Sequence, residues 1–262
     1  MEKRPYILIS NDDGYEARGF QVLINALRPY CDIVAVAPDG PRSGFSTAFT
    51  AAMPISSRLI RKETGLELYA CSGTPVDCIK LGLNRYCTQK PDLVVGGINH
   101  GDNASVNAIY SGTVGVASEG AMQGIPSLAL SICDYSENAD FSAVEPWLWK
   151  MVRYAIDMDM KPFTLLNVNF PKDTDIKGLR LCRKSKSRWV EEIEPCAHPY
   201  HDNKFFWLAG RCVELEPEAE DTDRWALTHG YISLVPTTLD YTNYEVLEEL
   251  KAATAEGTDA DL

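Results

Sequence analysis

The residues able to do chemistry begin early, in Ser10-Asn11-Asp12-Asp13-Gly14, directly after the apolar run Tyr6-Ile7-Leu8-Ile9. A short apolar run that ends in polar residues predicts a buried strand delivering those residues at its C-terminal end. In open α/β sheets that end of the strands is where ligands bind. Adjacent carboxylates repel, and a hard divalent cation, which takes oxygen ligands, removes the repulsion. A solvated Asp-Asp-Gly turn explains the same residues without any ligand. On local grounds both readings stand.

Further groups fall at comparable places. Pro38-Asp39-Gly40-Pro41-Arg42-Ser43-Gly44-Phe45-Ser46 follows the apolar run Asp32–Ala37, and Gly96-Gly97-Ile98-Asn99-His100-Gly101-Asp102-Asn103 follows Asp92–Val95. Tyr110-Ser111-Gly112-Thr113 precedes a run of small residues through Met122, spaced as a helix against which a backbone or ligand can approach closely. A helix that begins at Ser-Gly-Thr offers free N–H groups and hydroxyls to an anion, although a plain N-cap accounts for the same tripeptide. Arg42 either reaches such an anion or braces its own acidic loop. His100 is either a substrate contact or an ordinary loop histidine.

The elements that must hold these groups alternate. Apolar residues at 20, 23, 24 and 27 have helical spacing, so residues 6–37 predict a βαβ unit with parallel strands. Residues 48–72 predict a β excursion with its best strand at Leu66–Ala70, and Thr74-Pro75 opens a helix to about Tyr86. Strands follow at Gly124–Ser131, Phe163–Pro171, Leu179–Cys182 and Gly230–Pro236, with helices at Ala143–Met158 and Tyr244–Ala253. Trp147 and Trp149 are expected to pack rather than bind. The expected fold class is α/β: a Rossmann-like three-layer arrangement on a mostly parallel sheet. The expected organisation is a catalytic core over 1–182, an extended β-rich excursion over 183–228, and a return strand with C-terminal helix and tail over 229–262, its last residues, 256–262, disordered.

Composition narrows the function. The 262 residues carry a net charge of −12, which argues against nucleic-acid duplexes and anionic membranes as partners. A phosphorylated ligand would then need a metal or backbone N–H groups to supply positive potential. Eight cysteines without a Cys-x-x-Cys pair fit reduced thiols better than disulfides or a zinc site. With no signal-peptide pattern and no apolar run of membrane-spanning length, a cytoplasmic location is expected.

Taken together these segments resemble the SurE family, the stationary-phase survival proteins that are metal-dependent 5′-nucleotidases. The likeness rests on Ser10–Gly14, Ala37-Pro38-Asp39 with Arg42-Ser43-Gly44, Ser72–Cys78, Gly97–Asn103, and Ser111–Thr113 with Glu119–Met122, in family order across residues 6–131. Weaker likeness continues through Ser187–Trp189, Phe205–Trp207 and Ser233–Thr242. The resemblance implies Mg²⁺ or Mn²⁺ on Asp12, Asp13, Ser43 and Asn99, and phosphate on Asn103, Ser111, Gly112 and Thr113. It implies hydrolysis of nucleoside 5′-monophosphates, with 3′-monophosphates and short polyphosphate as further substrates, by a homodimer or homotetramer. Where the family often carries a histidine after the last strand's proline, this chain has Thr237 and Thr238, so no role of that histidine transfers. The residues themselves favour attack by water with Asp12 or Asp13 as general base. Two alternatives remain: a haloacid-dehalogenase-type phosphatase, disfavoured because its Asp-x-Asp spacing is absent, and a non-catalytic nucleotide-binding stress protein.

Overall fold

In the computed structural model, which describes residues 4–172, 175–197 and 204–255, the apolar runs become the middle of one sheet. In chain order the elements are β1 (Tyr6–Ser10), α1 (Arg18–Leu27), β2 (Asp32–Pro38), β3 (Ser57–Glu63), β4 (Leu66–Cys71), α2 (Pro75–Leu81), β5 (Leu93–His100), α3 (Asn107–Tyr110), α4 (Gly112–Met122), β6 (Ser127–Ile132), α5 (Glu145–Asp157) and β7 (Thr164–Phe170). There follow β8 (Leu179–Leu181), β9 (Ser187–Val190), β10 (Ile193–Cys196), β11 (Phe205–Leu208), β12 (Arg211–Glu214), α6 (Asp223–Thr228), β13 (Ile232–Thr238) and α7 (Tyr244–Ala255). The tail expected to be disordered, 256–262, lies outside the described residues.

The main sheet has the order β3-β4-β2-β1-β5-β6-β7-β13-β8. Pairing is parallel from β4 through β7, while β3 and β13 run antiparallel to their neighbours β4 and β7. From β1 the chain winds outward through β2 and β4, then returns to β5 and winds the other way. The order therefore reverses between β1 and β5, the crevice where α/β sheets bind ligands.

Strand alternation sorts the core into two layers. Ile7, Ile9, Ile33, Val95 and Leu130 face Phe20, Leu23, Ile24 and Leu27 of α1 and Leu148 and Val152 of α5. Leu8, Val34, Val36 and Val94 face the other way, onto α2 and Val116 of α4. Each such side chain, buried in full, contributes about 1.5–3 kcal/mol. Thr74 caps α2 with a reciprocal bond to Asp77, as its sequence predicts, and a π-helical turn extends the helix over Gly82–Tyr86. Trp147 and Trp149 pack against the α1–α5 layer, Trp149 stacked on Tyr30.

Two expectations change in detail. The third strand does not end at Val95: β5 runs on to His100, its pairing with β6 shifting register between Gly96 and Asn99. The stretch 183–228 holds two β-ribbons, β9–β12 and β10–β11, but also the helix α6, whose Ala226 packs against Val235 of β13. Thr222 caps that helix by accepting from the Trp225 N–H.

The approach of α4 to the sheet depends on the absence of side chains. A Cβ on Gly96 would stand 2.4 Å from the Thr113 carbonyl oxygen, which is backbone and cannot turn aside. Gly96→Ala is therefore expected to lower stability by about 1–3 kcal/mol, the usual range for overpacking. Urea denaturation checks this; an unchanged midpoint would mean that α4 stands further from β5 than described.

Candidate active site

Asp12 and Asp13 occupy a bend after β1, at the topological switch point. Asp12 is 5% exposed, and its Oδ1 accepts from Thr113 Oγ1 at 2.6 Å. The Gly112 N–H also donates to its carboxylate. Gly112 is small enough for this approach, since a Cβ there would stand 2.7 Å from the Asp12 Cβ. Burial first, and the neighbouring Asp13 second, push Asp12 up to about 6. Burial likewise raises Asp13, offset in part by the His100 N–H donating to its Oδ2 at 3.3 Å.

The neighbouring strand ends close on this pair. The Arg42 N–H donates to the Asp12 carbonyl at 2.7 Å, which brings Ser43 alongside; Ser43 itself is exposed. The Arg42 guanidinium bonds Asp39 at 2.9 Å and the Ser72 carbonyl at 3.3 Å, so in this structure it braces its loop. Asn99 donates Nδ2 to the Gly101 carbonyl at 2.7 Å, leaving its Oδ1 as the acceptor to offer. His100 is engaged on both ring nitrogens: Nε2 accepts from the Gly19 N–H of α1 at 3.2 Å, and Nδ1 lies 2.8 Å from the Ser136 carbonyl. Held at both nitrogens, the ring is a clamp between layers.

Around the phosphate candidates, Ser111 caps α4, its Oγ accepting from the Val114 N–H at 3.0 Å. The Thr113 hydroxyl proton goes to Asp12, so what this residue can offer an anion is its N–H. Asn103 is buried in a polar lattice that sequence inspection missed. Its Nδ2 donates to Ser131 Oγ at 2.8 Å, its N–H to Asn169 Oδ1 at 2.7 Å, and its carbonyl accepts from Asn167 Nδ2 at 2.8 Å. The alternation Asn167-Val168-Asn169 in a strand was the available signal, since it sends both amides to one face. Further along, the Ser105 N–H donates to the buried Asp223 at 2.8 Å, and Arg224 reaches Asp102 at 3.2 Å.

Asp12, Asp13, Ser43 and Asn99 offer only oxygen, the donor set of a hard cation such as Mg²⁺ or Mn²⁺. The Asn11 Oδ1 beside them is buried without a hydrogen-bond partner among protein atoms, a further sign of a polar site built for more than protein. The residues fit the ion.

An acidic pair at the switch point of an open α/β sheet, met by a helix N-terminus and oxygen-bearing loops, places the chain in a class: doubly wound α/β proteins with their candidate site at the strand-order reversal. The family model described as Survival protein SurE matches residues 7–191, and the chain belongs to that family. It is 48% identical over 250 residues to the protein named 5′-nucleotidase SurE of Bacteroides fragilis, covering 95% of this chain and 98% of the relative. Its namesake in Bacteroides thetaiotaomicron is 46% identical over 248 residues, 95% of either chain. Among solved structures, the SurE protein of Aquifex aeolicus superimposes with a TM-score of 0.80 at 36% identity, covering 95% of this chain and all of the other.

The burial of Asp12 has a sign. Its carboxyl ordinarily titrates near 3.8 and here near 6, so the stability it lends is complete below about pH 4 and is lost as pH rises through 6. In chelator, Asp12→Asn should match wild type near pH 4 and exceed it by about 3 kcal/mol above pH 7. Excess Mn²⁺ should then stabilise wild type and not the variant. Urea midpoints across pH check this, and a gap that narrows with rising pH would contradict it.

Proposed function

We propose that this chain is a metal-dependent phosphomonoesterase that hydrolyses nucleoside 5′-monophosphates to nucleoside and phosphate. The observation that carries the reading is Asp12 held at 2.6 Å by the first turn of α4, which sets an acidic pair and an anion-binding helix end in one crevice. Membership of a family whose relatives are named 5′-nucleotidase supports it. 3′-Monophosphates and short polyphosphate present the same terminal phosphoryl group and belong to the same proposal.

Asp12, Asp13, Ser43 and Asn99 would hold Mg²⁺ or Mn²⁺, which when bound offsets charge on the phosphoryl oxygens and acidifies water. The chain's own residues do the rest. The Thr113 N–H and the Ser111 hydroxyl receive phosphoryl oxygens, and Asn103, fixed by Ser131 and Asn169, meets them from the β5 side. Asp12 is engaged by Thr113 and Gly112 and serves to hold. Asp13 carries the lighter set of hydrogen bonds and a raised pKa, which suits it to accept the proton of the attacking water. No phospho-enzyme forms.

Phosphate release from AMP with added Mn²⁺ tests the reading directly. Asp13→Asn should lower kcat by about 10²–10⁴-fold, the worth of a general base, with the fold retained. A chiral phosphate should emerge inverted. Retention, or label trapped on either aspartate, would replace water attack with a covalent route.

The assembly we propose is a homodimer or homotetramer, with 1–182 as the catalytic core, 183–228 as the segment that pairs copies, and 229–262 returning to the core. Support comes from the β10–β11 ribbon, where Ile193, Phe206, Trp207 and Leu208 are exposed at 56%, 53%, 68% and 85%. Apolar surface so concentrated marks an interface. Light scattering at micromolar concentration should return a dimer or larger, and a monomer would refute this. Eight cysteines without a Cys-x-x-Cys pair, read as reduced thiols, support a cytoplasmic location; among the described residues no helix is long and apolar enough to cross a membrane.

A further inference from the structure

Tyr135 is an exposed ring held at two points beside the candidate site. It follows β6 and is 70% exposed, so burial does not account for its position. Its hydroxyl donates to Asp102 Oδ2 at 3.2 Å. One face of its ring lies over Gly101 on the Cδ1–Cε1 side, where an added Cβ would stand 2.4 Å from Cε1 and 2.7 Å from Cδ1, which leaves the opposite face to solvent. Asp102 in turn is fixed through its other oxygen by Arg224 at 3.2 Å and Asn107 at 3.3 Å. A solvent-facing ring is thus anchored at its hydroxyl and on one face, by the segment that carries Asn99 and Asn103.

The geometry points to Tyr135 as the platform on which the nucleobase of the substrate stacks, an assignment that rests on the phosphomonoesterase reading above. An aromatic ring immobilised before the ligand arrives loses little rotamer freedom on binding. A stacking face accepts any base, because every base has a π-face, so the platform predicts selection for a base over none rather than for one base over another. Phe45 and Tyr110 also rise near the crevice, at 45% and 55% exposure, and are the competing platforms. Tyr135 is favoured over them because its polar tip is bonded and one face is backed by Gly101, with the other face open. Its hydroxyl can be removed without freeing Asp102, since Arg224 and Asn107 still hold that carboxylate.

The test compares AMP with ribose 5-phosphate, which carries the same phosphoester and no base, on the full chain with Mn²⁺. Tyr135→Ala should raise KM for AMP about 5- to 100-fold, and leave ribose 5-phosphate within about twofold. Tyr135→Phe, which keeps the ring and loses only the hydroxyl, should retain most of the AMP preference. Equal losses on both substrates would assign Tyr135 to holding Asp102 and overturn the inference. A selective loss in Phe45→Ala or Tyr110→Ala, with none in Tyr135→Ala, would also overturn it. Should wild type turn over neither compound, the hydrolase reading fails by itself. Calorimetric binding of AMP against ribose 5-phosphate to wild type and Tyr135→Ala then decides the stacking question separately.

Discussion

The structure turns on holding Asp12 and Asp13 side by side, the first buried and the second half-buried. Like charges that close, with one of them buried, are unfavourable unless donors surround them. The donors come from elements far apart in the chain: Thr113 and Gly112 from the start of α4, and the His100 N–H from the end of β5. The backbone N–H of Arg42 fixes the same bend from the β2 side, through the Asp12 carbonyl. Bringing the α4 terminus this near requires the helix to lie almost on the strand, which its small residues and Gly96 permit. The packing of Val116 and Ala117 and the chemistry of Asp12 are therefore one constraint seen at two ends of a helix.

The arm from Asn99 to Asn107 poses the same problem in neutral form. It leaves the sheet carrying buried backbone groups, each of which needs a partner. The partners come from the C-terminal part of the chain: Asn167 and Asn169 of β7 for Asn103, and Asp223 for Ser105. Ser187 of β9 bonds the Ser105 hydroxyl at 2.6 Å, and Trp189 donates to Asn107 at 3.0 Å. Elements that contribute no donor to the acidic pair thus set the position of the residues facing it. The β9–β12 ribbon and α6 act as a scaffold for the arm, and their place in the excursion ties its anchoring to the segment proposed to pair copies.

Much of this was legible in the sequence wherever the signal is local. The apolar runs of β1 and β2, the spacing of Phe20, Leu23, Ile24 and Leu27, and the Thr74-Pro75 helix start each carry their instruction within a few residues. The C-terminal half of β5 was not, because Gly96-Gly97 reads as a chain break and only the neighbouring β6 keeps it extended. Nor was α6, a short helix whose acidic approach masks its Thr222 cap. The acids, Ser43, Asn99 and the Ser-Gly-Thr turn were identifiable by type and by likeness to a family. Their partners were not, because Thr113 meets Asp12 across 101 positions and Ser105 meets Asp223 across 118. His100 and Arg42, ambiguous as isolated residues, have their nitrogens engaged by protein atoms far along the chain, which no local pattern announces.

The adjacency of the two acids is itself a geometric device. Along a strand, successive side chains go to opposite faces, and the bend after β1 retains that divergence. Asp12 is met by α4, which covers one face of the sheet. Asp13 is met by His100, whose ring caps α1 on the other face. The pair therefore straddles the edge of the sheet, with one carboxylate secured to each helical layer and the crevice between. Acids at the Asp-x-Asp spacing would both lie on one face and leave the other layer without a contact. The i, i+1 spacing lets a single strand end present acid to both walls of the switch point, and it fixes which layer each carboxylate answers to: Asp12 to the start of α4, Asp13 to the arm that carries Asn99.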